Sequence, residues 1–192
     1  KWGCEMADSG AGNQMTGAEA LVRMLEAQGV SHIFGLCGDT TLPFYDAMAR
    51  MQPEITHILT RDERHAGYMA DGYARVTGKP GICEGPSGGG ATYILPGLVE
   101  ANESSIPVLA ITSDVSTASR GRYPLTELDQ QALFAPLVKF TASLDNAARL
   151  PATVRLYNAS GTNELGKPYV LWTGTLAPAG SVTLLLEYFS VN

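Results

Sequence analysis

Cysteine is scarce: Cys4, Cys37 and Cys83 are the only three in 192 residues. The odd count and the lack of CxxC spacing argue against a disulfide framework and a thiolate metal site. They read as buried or incidental thiols of a reducing compartment, so the cytoplasm is the expected location. Charge is also thin, 17% of residues, with a net −6 and no Lys/Arg cluster. That composition argues against a nucleic-acid surface. No apolar run approaches the roughly 18 residues of a membrane span, and the first residues lack the basic-then-apolar pattern of a signal peptide. His32, His57 and His65 show no metal-ligand spacing. His32 and His57 lie in or beside expected strands and read as satisfied core or edge residues, whereas His65 follows Glu63 by two positions and is a candidate to face the same pocket. No serine or cysteine sits in a nucleophile elbow.

What is present is an alternation of short apolar runs with helical periods. Residues 1–14 are rich in Gly, Ser, Asn and Asp and are expected to be a disordered tail. Thr16 followed by Glu19 has the form of a capping box, opening a helix with Ala20, Leu21, Met24 and Leu25 on one face and a stop at Gly29. His32 to Cys37 reads as a strand ending in Gly38-Asp39, and a helix follows from about Thr41 to Met51. Ile55 to Leu59 reads as a buried strand. Further strands are expected at Gly81 to Glu84, Ile106 to Thr112 and Val138 to Leu144. Helices are expected up to about Glu103, near Leu128 to Phe134, and near Asn146 to Arg155. Apolar strands alternating with helices predict an α/β fold whose parallel sheet is sandwiched by helices.

From about Val154 the texture changes. Charges thin out, and two β-rich runs, Tyr169 to Thr173 and Val182 to Phe189, are separated by turn residues at Asn163, Gly166, Pro178 and Gly180. We therefore divide the chain into a tail (1–14), a main domain (15–152) and a short β-rich C-terminal segment (153–192). That segment reads either as the last strand of the main domain plus a tail, or as strands grafted from a separate β module. Strands without partners would leave edges prone to association.

The stretch around which the rest is organised runs from Thr60 to Arg75. Ala66, Met69, Ala70 and Tyr73 repeat at helical spacing, which puts Asp62 and Glu63 at a strand-to-helix junction. Acidic residues there suit the free N–H groups and the positive end of the helix dipole without any chemistry. The second notable stretch is Gly85 to Thr92. Its glycines let backbone approach a flat ring or a phosphate. It matches neither a dinucleotide fingerprint, lacking the third glycine, nor a P-loop, lacking Lys-Ser/Thr. Unaided, it reads equally well as a tight strand-to-helix turn.

Taken together, the run RDERHAGYMADGYARVTGKPGICEGPSGGGATYILPGL resembles the N-terminal, pyrimidine-binding (PYR) domain of thiamine-diphosphate enzymes of the acetolactate synthase and 2-keto acid decarboxylase type. The order Arg-x-Glu, A-[DE]-G-Y-A-R, G-K-P-G, strand, glycine turn and a strand ending P-V-L-A-I-T is matched from about Met15 to about Pro151. The resemblance implies thiamine diphosphate as cofactor, with its aminopyrimidine held by this domain. The diphosphate and Mg2+ would be held by another domain, on a partner subunit of a homo-oligomer or on a separate chain. Glu63 falls on the glutamate that hydrogen-bonds a pyrimidine ring nitrogen and activates the cofactor. Gly38, Pro86, Gly90 and Thr92 fall on positions lining the pyrimidine pocket. The implied substrate is a small 2-keto acid, and the chain alone is expected to be inactive. A non-catalytic partner-binding module and a truncated or fused fragment remain the alternatives. Four positions depart from the family pattern: Arg64 for the usual Gln, Tyr93 for Asn, Leu125-Thr126-Glu127 for F-Q-E, and L-C-G-D, ending at Asp39, for V-P-G.

Overall fold

The helices form where apolar residues recur at helical spacing and a polar residue caps the start. Thr16 accepts from the Glu19 amide at 3.2 Å, and Glu19 accepts from the Thr16 amide at 2.8 Å, closing the expected capping box of α1 (Gly17–Ala27). Asp62 caps α3 (Glu63–Thr77) by accepting from the Arg64 amide at 2.9 Å, and Gly78 ends it in the left-handed conformation, φ +67°. The structure is a computed structural model that describes residues 14–144, 175–176 and 182–186. In chain order the other elements are β1 (Gln14–Met15), β2 (His32–Gly35), a single 3-10 turn (Asp39–Thr41), α2 (Leu42–Met51), β3 (Thr56–Leu59), β4 (Gly81–Gly85), α4 (Gly89–Glu103), β5 (Val108–Ser113), α5 (Gln130–Phe134), β6 (Thr141–Leu144), β7 (Thr175–Leu176) and β8 (Val182–Leu186).

The main sheet has the order β3-β2-β4-β5-β8-β6. Its first four strands are parallel, in register Ile33 with His57, Phe34 with Cys83, and Cys83 with Ala110. Successive side chains on these strands enter opposite layers, as the two-residue period of a strand requires. Ile33, Ile82, Leu109 and Ile111 pack with Leu21, Leu25, Phe44 and Ala47 of α1 and α2. Phe34, Cys83 and Ala110 pack with Ala66, Ala70, Ile94 and Leu98 of α3 and α4. The expected α/β sandwich is therefore what forms: strands buried on both faces because helices cover both.

One expectation about a strand needs correction. The run from Ile55 to Leu59 was expected to be a buried strand, but β3 is the edge of the sheet and Leu59 is 66% exposed. A strand with only one neighbour keeps an open side, whatever its composition. A C-terminal segment whose strands lacked partners would leave open edges. Instead β8 lies between β5 and β6, antiparallel to both, and β7 pairs with β1. The expected helix near Asn146 to Arg155, the strand Tyr169 to Thr173 and the tail before Gln14 lie outside the described residues. Gln14 itself, counted with that tail, is in β1.

The topology also picks out a place. From β2 the chain moves outward to β3, then returns across β2 to β4 and continues to β5. The direction of winding reverses between β2 and β4. In open α/β sheets, ligands bind outside the carboxyl ends of the strands at such a point. Here those ends are Gly35 to Gly38 and Gly85 to Gly90.

Candidate active site

At the reversal point the two strand ends touch. A β-carbon added at Gly38 would lie 2.6 Å from Cβ of Pro86, so only hydrogen fits there. One added at Gly90 would lie 2.5 Å from the Pro86 ring and 3.1 Å from Oε1 of Glu63. One added at Gly85 would sit 3.5 Å from Cγ of Glu63. These contacts place Glu63, at the first turn of α3, against the glycine turn that opens α4. Glu63 is half-buried, and its carboxylate accepts no hydrogen bond among the described residues. Of the sequence-derived candidates, Gly38, Glu63, Pro86 and Gly90 are thus brought together. Thr92 is not part of that contact set: its hydroxyl donates to the Gly89 carbonyl at 2.7 Å within its own helix.

The spacing between Glu63 and Gly90 is set further along the same two helices. Gly67 of α3 and Gly97 of α4 face each other so closely that a β-carbon on Gly97 would lie 2.4 Å from the Gly67 carbonyl carbon. Two glycines let the helix backbones meet, and the N-terminal ends of α3 and α4 are drawn together with them.

The residues beside Glu63 point elsewhere. Arg64 and Asp62 form a bidentate pair, with Nε at 2.8 Å and Nη2 at 2.7 Å. Arg64, donating through its guanidinium and its backbone amide, holds the Asp62 carboxyl well below the usual carboxylate range. The guanidinium also lies over the Tyr93 ring, 5.6 Å from its centroid. Two of the four departures, Arg64 and Tyr93, therefore meet on the surface as one cation–π contact. A third, Thr126, reaches the glycine turn. Its Oγ1 is 2.6 Å from Ser87 Oγ, and its Cβ is 2.8 Å from where a Gly88 β-carbon would be. Gly88 itself has φ +67°, a conformation that favours glycine. His65 is exposed and is not placed on the glycine turn, because it follows Glu63 by two residues on a helix and so points away from it. His32 and His57 are satisfied, bonding Ser31 at 2.9 Å and Tyr45 at 3.0 Å. Tyr73 packs on His32 and Phe34, whereas Tyr68 is 48% exposed.

Sequence reasoning missed the supports under this site. Thr40 Oγ1 accepts from the Ser87 amide at 2.9 Å and from Ser113 Oγ at 2.7 Å, tying the loop after β2 to those after β4 and β5. Thr112 and Gln130 bond at 2.5 Å beneath them. Hydroxyls in loops carry no periodic signal. Sequence reasoning also passed over Glu84, which is 1% exposed in the centre of the sheet. Its signal was available: a lone charged residue at the end of an otherwise apolar strand.

Residues 15–133 match the family described as thiamine pyrophosphate enzyme, N-terminal TPP binding domain. A probable acetolactate synthase large subunit of Methanococcus aeolicus is 40% identical over 154 residues, covering 80% of this chain and 25% of that protein. The probable acetolactate synthase large subunit of Methanocaldococcus jannaschii is 42% identical over 141 residues, covering 73% and 24%. Acetolactate synthase isozyme 1 large subunit of Escherichia coli K12 is 35% identical over 170 residues, covering 87% and 30%. The chain thus spans about a quarter of the length of the first two relatives and under a third of the last. Extent of match and identity together are decisive: the chain belongs to the thiamine pyrophosphate enzymes and carries their N-terminal TPP binding domain.

Proposed function

We propose that this chain is the pyrimidine-binding part of a thiamine-diphosphate-dependent enzyme acting on 2-keto acids, with Glu63 as the residue that activates the cofactor. One observation supports this above the others: the Glu63 side chain lies against the glycine turn, 3.5 Å (Cγ) from where a Gly85 β-carbon would be and 3.1 Å (Oε1) from where a Gly90 β-carbon would be. A cradle walled by glycine backbone on one side and bearing an unpartnered carboxylate on the other suits a flat, nitrogen-bearing ring. Gly38, Pro86 and Gly90 would hold the ring by close backbone approach, and Glu63 would share a proton with a ring nitrogen. The cofactor, when bound, supplies the acidic thiazolium carbon and the electron sink. This chain's own contribution is orientation and one positioned carboxylate. The diphosphate and Mg2+ are assigned to a further domain or subunit, and the assembly to a homo-oligomer or a two-chain complex. Its place of work is assigned to the cytoplasm.

The experiment pairs the chain with a diphosphate-binding domain, thiamine diphosphate and Mg2+, and follows proton–deuterium exchange at the thiazolium carbon by NMR. Glu63→Gln keeps the size of the side chain and removes the shared proton. Exchange is expected to slow by about two to four orders of magnitude, the range of a lost acid–base group. An unchanged exchange rate would remove Glu63 from its role. The chain alone is expected to bind the cofactor weakly, because the diphosphate and metal contacts are made elsewhere. Micromolar affinity without a partner domain would contradict that division of labour.

A further inference from the structure

The glycine turn beside Glu63 has little of its own to hold it in shape. Gly88, Gly89 and Gly90 follow one another, no side chain caps the first turn of α4, and a β-carbon on Gly89 would meet nothing within 4 Å. Glycine loses more conformational freedom on ordering than any other residue. Left to itself, such a turn samples many shapes, and a ring that needs one of them must order it on binding. Ser87, which is 3% exposed, fastens the turn from outside. Its amide donates to Thr40 Oγ1 at 2.9 Å, and its hydroxyl lies 2.6 Å from the Thr126 hydroxyl.

Thr126 is an unusual residue to find there. Its φ is +74°, and a β-branched residue in the left-handed region is strained. Thr126 is exposed, so burial does not compensate the strain. What its side chain meets is the turn. Its hydroxyl reaches Ser87, and its Cβ, Cα and Cγ2 lie 2.8, 3.0 and 3.2 Å from where a Gly88 β-carbon would be. The bend around it is itself constrained: Tyr123 has φ +54°, and the Gly121 amide donates to Glu127 at 2.5 Å. Strain kept at an exposed position beside a binding cradle points to a role in that cradle. We propose that Thr126 is a positioning residue whose hydroxyl, acting through Ser87, holds the triple-glycine turn in its ring-accepting shape before the cofactor arrives. The inference rests on the reading of this turn as the pyrimidine cradle and deepens it. Thr126 contributes affinity by preorganising the turn and takes no part in proton transfer at Glu63.

The test separates the hydroxyl from shape and strain. Thr126→Val keeps the β-branch and loses the hydroxyl, whereas Thr126→Ser keeps the hydroxyl and loses the methyl. In the full chain, NMR relaxation of the Gly88, Gly89 and Gly90 amides is expected to show added motion in Thr126→Val and parental rigidity in Thr126→Ser. Thiamine diphosphate is then titrated into the chain paired with a diphosphate-binding domain and Mg2+. It should bind Thr126→Val about three- to tenfold more weakly, the fold-change of one lost neutral hydrogen bond, and Thr126→Ser within about twofold of the parent. The exchange rate at saturating cofactor should change less than the affinity, because Glu63 is not displaced. Ser87→Ala removes the other hydroxyl and should reproduce Thr126→Val, serving in its place if that variant does not fold. A rigid turn with parental affinity in Thr126→Val, or equal losses in both Thr126 variants, would overturn the proposal. Failure of the Glu63 reading looks different: exchange in Glu63→Gln is unchanged while motion of the turn still follows the Thr126 hydroxyl.

Discussion

Substituting Gly97 by alanine tests whether backbone contact between α3 and α4 positions Glu63 against the glycine turn. The new β-carbon would lie 2.4 Å from the Gly67 carbonyl carbon, 2.7 Å from its Cα and 2.7 Å from the Tyr68 amide nitrogen. All three are backbone atoms, so no side chain can rotate away. Ordinary contact starts at 3.4 Å, so the helices must separate by about 1 Å. Overpacking of this kind costs about 1–3 kcal/mol. Alanine in a helix interior gives back about 1 kcal/mol of propensity over glycine. Because every atom the β-carbon meets is backbone, the cost falls in the upper part of that range, about 2–3 kcal/mol, and the net expectation is a loss of roughly 1–2 kcal/mol, lowering the melting temperature by roughly 2–8 °C at the usual 2–4 °C per kcal/mol for a chain of this size. Gly72, within α3, is the control, because a β-carbon there meets nothing within 4 Å. The same exchange at Gly72 should therefore stabilise, by roughly 0.5–1 kcal/mol. Thermal and urea unfolding, followed by circular dichroism, give both signs. If Gly97→Ala melts at or above the parent, or both variants shift in the same direction, local space does not decide these positions and the argument fails. Because α3 begins at Glu63 and α4 opens at the glycine turn, Gly97→Ala should also weaken cofactor binding in the assembled enzyme. Gly72→Ala should not.

Other expectations follow from single side chains. Contacts from the Thr16 amide and Arg50 lower the Glu19 carboxyl to about 2. A depressed folded value means stability present above the ordinary carboxyl range and lost as pH falls toward about 2. Acid titration of the melting temperature should therefore show a decline between about pH 4.5 and 2, smaller in high salt and reduced in Glu19→Gln. Tyr45→Phe removes the hydroxyl that donates to Glu84 and leaves a buried carboxylate oxygen less satisfied. A loss of about 1–3 kcal/mol is expected in urea unfolding, and a neutral result would mean that another donor takes its place.

Much of this arrangement was legible in the chain, and the limits of legibility have physical causes. The capping box at Thr16 and Glu19, the helical period from Ala66 to Tyr73 and the apolar β4 and β5 runs are local or periodic signals. They predicted the α/β sandwich and put Glu63 at a helix start. The glycine turn could be located but not interpreted, because a glycine is required only when something approaches it, and what approaches Gly90 and Gly38 is Pro86, a residue close in sequence to one and distant from the other. Resemblance to a known family offered a reading for Gly38, Glu63, Pro86 and Gly90, and the structure brings these four residues into contact. It also suggested Thr92, whose hydroxyl the structure commits to its own helix.

The order of amino acids alone, then, determined which segments become strand or helix and which carboxylate stands at the decisive helix start, since these depend on neighbours within a turn or two. Only the tertiary structure decided that β3 is an edge and that β8 enters the main sheet. The meeting of Arg64 with Tyr93, and the seating of Glu84 beside Tyr45 and His57, were likewise decided there. Each of these joins residues far apart in the chain. Which distant residues meet is set by how strands are ordered and helices packed, and no local pattern encodes that.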